Sequence, residues 1–201
     1  MNDLELRLFQ AAHDDHFGDP LSIDGDLGSW TRWALGINSL CPKRRLAIYR
    51  CQRLMRRKIS EVGGDNRHPF IDVVLERCLV ARGNPWCAAA ASFVLDCQPH
   101  AGAQDLGKSF PMTLNPCPGD LGWYPTGRWT GHVFVIGAYD PTAQQVMTYE
   151  GNQNNAFRCI RRPCSGLHFS RTFDDDSNVS VLIPKDSRIS LAYSTALMGT
   201  R

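Results

Sequence analysis

The sequence predicts an α+β fold, and three observations carry this prediction. The first 95 residues show mainly helical patterns separated by glycine and proline turns. One breaker-free, alanine-rich run, 86–95, follows a proline and predicts a central helix. Alternating apolar and polar residues then predict strands in the second half of the chain. Helices followed by antiparallel strands are typical of the α+β class. The predicted strands are 131–139, 146–152, 157–162 and 179–184, with a short one at 121–124.

The helical half divides at turn residues. Apolar residues begin a helix near Leu4, and Gly18-Asp19-Pro20 ends it. Ser29 is predicted to cap the next helix. A basic amphipathic helix over 41–59 and a short helix over 70–81 follow. Between the central helix and the strands, five prolines and glycines predict a loop over 98–116.

Cys87 is the first candidate for chemistry. Pro85 suits the residues just before or inside a first helical turn, so Cys87 is expected at the start of the central helix. Unpaired N–H groups and the helix dipole favour negative charge there, and the thiolate is the reactive form of cysteine. A buried structural cysteine on a core helix is the alternative that this stretch alone leaves open.

A catalytic cysteine needs a base, and the base needs a group that orients it. His132 opens a predicted strand directly after Gly131. Alternation places His132, Phe134, Ile136 and Ala138 on one face of that strand. Glu150 and Asn152 share a face of the next strand, and hairpin pairing brings 150–152 close to His132. A thiol, an imidazole and an acid or amide are thus predicted to meet.

Composition says less about the function than these motifs do. The chain has 201 residues, 43% hydrophobic, with a net charge of +2, which is too balanced to imply a nucleic-acid partner by itself. Eight cysteines occur without a C-x-x-C pair, and most are expected to be reduced and structural. Cys159, Cys164 and His168 come closest to a metal pattern, but no second pair completes a zinc site, so a structural metal is not expected. Chemistry by a thiol, an imidazole and an acid or amide needs no metal or organic cofactor.

The expected location is unusual for a secreted enzyme. The first residues lack the basic and apolar regions of a secretory signal, and no apolar run approaches ~18 residues, so no membrane span is predicted. Synthesis in the cytoplasm and action on the cell wall or in the periplasm, after release or secretion by another route, is the resulting expectation.

Four stretches in order resemble the CHAP domains, the cysteine- and histidine-dependent amidohydrolases/peptidases of the papain-like class. They are Glu61–Arg67, Pro85–Ala89, Pro118–Asp120 with Gly131–Val133, and Glu150–Asn152. The match covers roughly residues 58–184. Two departures stand out, since Ala90 replaces a bulky apolar residue of the family and Phe134 a small one.

The resemblance implies a papain-like fold, with Cys87 as nucleophile, His132 as general base, and Glu150 or Asn152 as the group that orients the histidine. It gives no role to Asp65 or Asn66. It also implies a cysteine amidase or endopeptidase acting on peptidoglycan, as a phage lysin or an antibacterial effector, the latter with an immunity or inhibitor protein as partner. An inactive wall-binding or scaffold protein, and a metal- or nucleic-acid-binding module, are the alternatives.

Two regions are expected from these patterns. Residues 1–57 form a helical N-terminal region, and 58–201 form the CHAP-like catalytic domain. Within the first region, positions 23–35 resemble the signature of small helical peptidoglycan-binding modules, although ordinary turn chemistry explains the same glycines and aspartates. The matching residues are Ile23, Asp24, Gly25, Gly28, Thr31, Ala34 and Leu35.

Overall fold

The computed structural model describes residues 1–174, 181, 183–185 and 189–191. Six helices come first and a mixed sheet follows, so the α+β class is confirmed. The predicted strand over 179–184 lies partly outside the described residues, and its described residues, 181, 183 and 184, are not in a strand. The helices are α1 Asp3–Ala12, α2 Ser29–Asn38, α3 Pro42–Arg56, α4 Pro69–Arg77, α5 Cys87–Leu95 and α6 Ala103–Lys108.

Local capping explains where these helices begin. Asn2 and Glu5 form a reciprocal capping box at α1. Proline stands at the start of α3 and of α4, where its missing N–H costs nothing. His68 caps α4 by accepting the Phe70 N–H at its ring nitrogen. Ser29 is the first residue of α2 rather than its cap, because Gly28 holds the cap position.

Helix α6 corrects the predicted loop over 98–116. Gly107 discouraged a helix there, yet α6 includes it because the Trp123 ring packs directly against that position. A Cβ on Gly107 would lie 2.5 Å from the ring. Tertiary packing therefore stabilises a six-residue helix that intrinsic propensity does not favour.

The strands form one sheet in the order β5-β1-β2-β3-β4-β6. Neighbours from β5 to β4 are antiparallel, and the two-residue β6 runs parallel to β4. The predicted strands at 121–124, 131–139, 146–152 and 157–162 are confirmed to within one residue at each end. The strands are β1 Leu121–Pro125, β2 Gly131–Asp140, β3 Gln145–Gln153, β4 Ala156–Pro163, β5 His168–Ser170 and β6 Ser190–Leu191.

A β-bulge in β2 corrects one face assignment. The register with β3 shifts between Ile136 and Ala138, so Gly137 is the extra residue. Phe134 and Ile136 pack in the smaller of two apolar clusters, whereas Ala138 packs in the larger one. Ala138 therefore lies on the opposite face from the one that strict alternation predicts.

The larger apolar cluster joins the helices to the sheet in one core. Trp33 of α2 donates its indole N–H to Gly137 O (3.2 Å), and Tyr149 of β3 donates to His16 O (2.8 Å). Residues on both sides of position 57 thus share a single core, and the functional division at that position stays a prediction. Within the described residues, no helix is long and apolar enough to span a membrane.

Candidate active site

Cys87 is the first residue of α5, as the sequence predicts. Trp86 precedes it with φ −120° and ψ 10°, and its carbonyl accepts the Ala90 N–H (2.9 Å), which closes the first turn. The thiol side chain is almost buried, with 6% of the residue exposed. Cys87 therefore lies in the turn whose backbone N–H groups have no partners within the helix.

Helix α5 can lie close to β3 because both elements carry minimal side chains where they meet. A Cβ on Gly151 would lie 2.8 Å from Ala90 Cβ and 2.8 Å from the Trp86 ring. The small side chain at position 90 fits this contact, since a bulky residue there would push α5 away from the sheet. The Gly151–Ala90 contact sets how far the Cys87 end of α5 stands from β3.

A second set of contacts holds the turn before Cys87. The Trp86 indole donates to Glu61 Oε1 (3.0 Å), and Glu61 Oε2 accepts the Asn66 N–H (3.0 Å). Asn66 also donates to Gly83 O (3.1 Å) from a left-handed backbone conformation with φ +52°. This gives Asn66 and Glu61 a structural role in fixing the turn. Sequence reasoning quoted both residues without finding this role.

His132 is the second residue of β2. Gly131 allows the close approach of β1, since a Cβ there would lie 2.7 Å from Tyr124 O. The imidazole packs beside the rings of Tyr124 (5.7 Å between centroids) and Phe134 (6.0 Å). Its side chain is 11% exposed, so the ring is shielded from bulk water.

Glu150 is the residue that the sheet brings to His132. The His132 Nε2 lies 2.9 Å from Glu150 Oε2, and the carboxylate is fully buried. Val135 pairs with Tyr149, so continuation of that register sets Phe134 opposite Glu150. The His132–Glu150 contact is therefore a diagonal contact across the strand pair.

Asn152, the other predicted orienting group, is not brought to the imidazole. The register of β3 with β4 shifts between Glu150 and Gln153, and Asn152 takes a left-handed conformation with φ +58°. In the part of the chain that the structure describes, Asn152 makes no side-chain hydrogen bond with His132. The structure thus assembles Cys87, His132 and Glu150 and leaves Asn152 aside.

For both His132 and Glu150, burial and the neighbouring charges shift the pKa in opposite directions. Burial lowers the pKa of His132, but the interactions with the Cys87 side chain and with Glu150 outweigh it and raise that pKa to about 9. Burial raises the pKa of Glu150, but Arg162 and His132 outweigh it and lower that pKa to about 2. An imidazolium and a carboxylate therefore coexist at neutral pH. Because Nε2 contacts Glu150, Nδ1 is the ring nitrogen left to interact with Cys87.

Arg162 of β4 is a site residue that sequence reasoning missed. Its guanidinium donates to both oxygens of Glu150, and 4% of the residue is exposed. The available signal was a basic residue among buried positions of a strand two places along the sheet from His132. That signal needs the strand order and register, which the sequence does not supply.

The large Phe134 side chain also has a structural reason. Gly122 on β1 leaves the space that this ring fills, since a Cβ on Gly122 would lie 2.1 Å from the Phe134 ring. The same ring lies against the Arg162 guanidinium, 5.5 Å from centroid to Cζ. A large residue at position 134 is thus matched by a glycine on one side and a buried cation on the other.

The remaining cysteines are the other candidates for disulfide bonds and metal ligands. All eight cysteines are thiols. Within the residues that the structure describes, no group of three or more histidine, cysteine or acidic side chains could hold a metal ion, and this includes the pattern of Cys159, Cys164 and His168.

Comparison with known proteins yields no match: no protein-family model, no curated protein and no solved structure is similar to the chain.

Proposed function

We propose that the chain is a papain-like cysteine amidase or endopeptidase of the CHAP type, which hydrolyses an amide bond of bacterial peptidoglycan. The observation that carries the proposal is the buried group formed by Cys87, His132 and Glu150. A thiol at a helix start, an imidazole beside it and a carboxylate behind the imidazole are the parts that nucleophilic catalysis requires. Buried structural cysteines do not need such partners.

The chemistry follows from these positions. The Cys87 thiolate attacks the amide carbonyl carbon while His132 holds the proton, and Glu150 stabilises the imidazolium. Backbone N–H groups at the start of α5 stabilise the oxyanion. His132 then gives its proton to the amine as the C–N bond breaks, which leaves a thioester. Water, deprotonated by His132, hydrolyses the thioester to a carboxylic acid and restores the thiol.

Peptidoglycan as substrate rests on the CHAP resemblance of four stretches and on the weaker resemblance of residues 23–35 to wall-binding modules. In this proposal the N-terminal helices hold the catalytic region near the wall. The enzyme meets its substrate after release or secretion, as a lysin or an antibacterial effector.

Digestion of isolated peptidoglycan tests the proposal. We expect the wild-type protein to release soluble fragments and Cys87→Ala to release none, because the thiolate is the nucleophile. Mass spectrometry of the fragments identifies the bond. Cys41→Ala is the matched control, because Cys41 also stands at a helix start, as the cap of α3, and is partly exposed.

Three results would contradict the proposal in different ways. Cleavage by Cys87→Ala at the wild-type rate would remove Cys87 from the mechanism. Equal loss in Cys41→Ala would show that the effect is not specific to the site. If the wild type and Cys87→Ala both fail to cleave but both sediment with the wall, the chain is a wall-binding or scaffold protein.

A further inference from the structure

The Glu150 carboxylate is bound from two neighbouring strands and from its own. Arg162 donates from Nε to Oε1 (2.5 Å) and from Nη2 to Oε2 (2.7 Å), which is a two-bond contact with both oxygens. The Thr148 hydroxyl also donates to Oε1 (2.5 Å), and His132 shares Oε2 with Arg162. The contacts with Arg162 and Thr148 therefore fix the orientation of the carboxylate independently of the imidazole.

The guanidinium is itself held in a closed environment. It lies over the rings of Tyr124 (5.6 Å) and Phe134 (5.5 Å), and its Nη2 also donates to Gln153 Oε1 (3.4 Å). The same two rings pack against His132. Imidazole, carboxylate, guanidinium and two aromatic rings thus form one packed cluster, in which movement of one member displaces the others.

The charges of the buried groups balance one another in this cluster. A fully buried carboxylate tends to take up a proton, because burial penalises its ionised form. A neutral carboxyl group would not stabilise an imidazolium. With the thiolate form of Cys87, the imidazolium of His132, the Glu150 carboxylate and the Arg162 guanidinium, the buried group contains two charges of each sign. Arg162 supplies the positive charge that completes this balance.

We propose that Arg162 is a positioning residue of the cysteine hydrolase site, which keeps Glu150 ionised and directs Oε2 at His132, so that the imidazole presents its other nitrogen to Cys87. The proposal rests on the proposed function only in the use made of Cys87. The Arg162 guanidinium donates its hydrogen bonds to Glu150 and Gln153.

The proposal has a consequence for pH dependence. The charged groups hydrogen-bonded to Glu150 are Arg162 from β4 and His132 from β2. Arg158 of β4 lies opposite Glu150 in the strand register but is exposed. Tyr124 of β1 lies beyond the guanidinium and Cys87 of α5 beyond the imidazole. Removal of the guanidinium charge makes Glu150 take up a proton at higher pH. His132 then loses its counter-charge, and the thiolate of Cys87 loses support on the acid side.

Alkylation of Cys87 by iodoacetamide measures this effect without any peptidoglycan. Because the chain has eight cysteines, the rate is read at the Cys87 peptide by mass spectrometry across pH 4 to 9. We expect Arg162→Met to move the acid-side inflection up by about one pH unit, with a rate about tenfold lower at pH 5. Arg162→Lys should keep the inflection, because the charge remains, but hydrolyse more slowly, because an ammonium cannot make the planar two-bond contact.

Arg158→Met is the matched control, because Arg158 lies on the same strand as Arg162 and opposite Glu150, but is exposed and donates to Gln153 O rather than to the carboxylate. It should leave the alkylation profile unchanged. An equal shift in Arg158→Met, or an unchanged profile in correctly folded Arg162→Met, would overturn the proposal.

A double variant serves where Arg162→Met does not fold, because Glu150→Gln removes the buried charge that Arg162→Met leaves without its cation. Because Arg162 acts through Glu150, the double variant Glu150→Gln/Arg162→Met should show the alkylation profile of Glu150→Gln alone. A further loss in the double variant would show that Arg162 acts on another group, and the proposal would be wrong.

The two proposals fail in distinguishable ways. A shifted profile in Arg162→Met, together with no hydrolysis of peptidoglycan by the wild type, overturns the proposed function and supports the role of Arg162. Hydrolysis by the wild type with an unshifted profile in the variant does the reverse.

Discussion

At the scale of single residues, the buried Glu150 carboxylate helps to keep His132 protonated. Glu150 contacts His132 and Arg162, and its pKa near 2 keeps it ionised over the useful pH range. His132, with a pKa of about 9, keeps its proton at neutral pH because of Cys87 and Glu150 and in spite of burial. The pair is thus charged in the folded protein over several pH units.

This pair predicts how stability depends on pH. The folded pKa of His132 is above its ordinary value of 6.5, so its contribution is complete below pH 6.5 and is lost as pH rises through about 9. The folded pKa of Glu150 is below its ordinary 4.5, so its contribution is complete above pH 4.5 and is lost as pH falls through about 2. We expect the free energy of unfolding to fall by about 3 kcal/mol between pH 6.5 and pH 9 from His132 alone.

Urea unfolding across pH 5 to 10 measures this slope. Glu150→Gln should flatten it, because the imidazolium loses its counter-charge and the pKa of His132 falls. Histidine NMR titration should show that fall directly. His100→Gln is the control and should keep the wild-type slope. The same slope in Glu150→Gln as in wild type would refute the pairing.

At the scale of elements, the site depends on how α5 meets β3. Helix α5 consists largely of small residues, and Gly151 adds no side chain at the contact. The Cys87 end of the helix can therefore reach the start of β2, where His132 lies. The small residues at positions 151 and 90 allow the two elements to pack closely.

We expect Gly151→Ala to destabilise the fold by about 1–3 kcal/mol, because the new Cβ meets the rigid Trp86 ring and Ala90. The displaced helix should also reduce hydrolysis by about tenfold or more. Urea unfolding and the peptidoglycan digestion assay measure the two effects. Gly28→Ser is the matched control, since nothing lies within 4 Å of a Cβ there. Equal behaviour of the two variants would show that the close contact is unimportant.

At the scale of the whole molecule, the N-terminal helices and the sheet are parts of one core. Arg44 of α3 forms a buried ion pair with Asp120 (2.8 Å), and both side chains are 1% exposed. Arg44 also donates to Pro118 O (2.9 Å). This contact joins the helical region to the turn before β1, so the two regions should unfold together.

We expect Arg44→Met to cost about 3–5 kcal/mol, because it leaves the Asp120 carboxylate buried without its cation. The transition should remain single in thermal unfolding followed by fluorescence and circular dichroism. Arg50→Met is the matched control on the same helix, because its partner Asp96 is exposed, and it should cost about 1 kcal/mol or less. If thermal unfolding instead shows two transitions, and Arg44→Met lowers the midpoint of only one of them, the two regions are independent domains.

Much of the fold could be predicted because it depends on local patterns. Strand patterns identified the four antiparallel strands that form the centre of the sheet, and Pro85 located the start of α5. Helix α6 could not be predicted, because Trp123, distant in sequence, stabilises it. Ala138 was placed on the wrong face because a bulge at Gly137 breaks the alternation.

The sequence by itself determined which residues the site could use. It predicted Cys87 at a helix start, His132 at a strand start and a partner for the imidazole within 150–152, since short-range sterics and a hairpin specify these positions. Only the tertiary structure decided between Glu150 and Asn152, because a register shift after Glu150 turns the strand there. It alone brought Arg162 to the carboxylate, since strand order and register depend on packing of the whole core rather than on any local pattern.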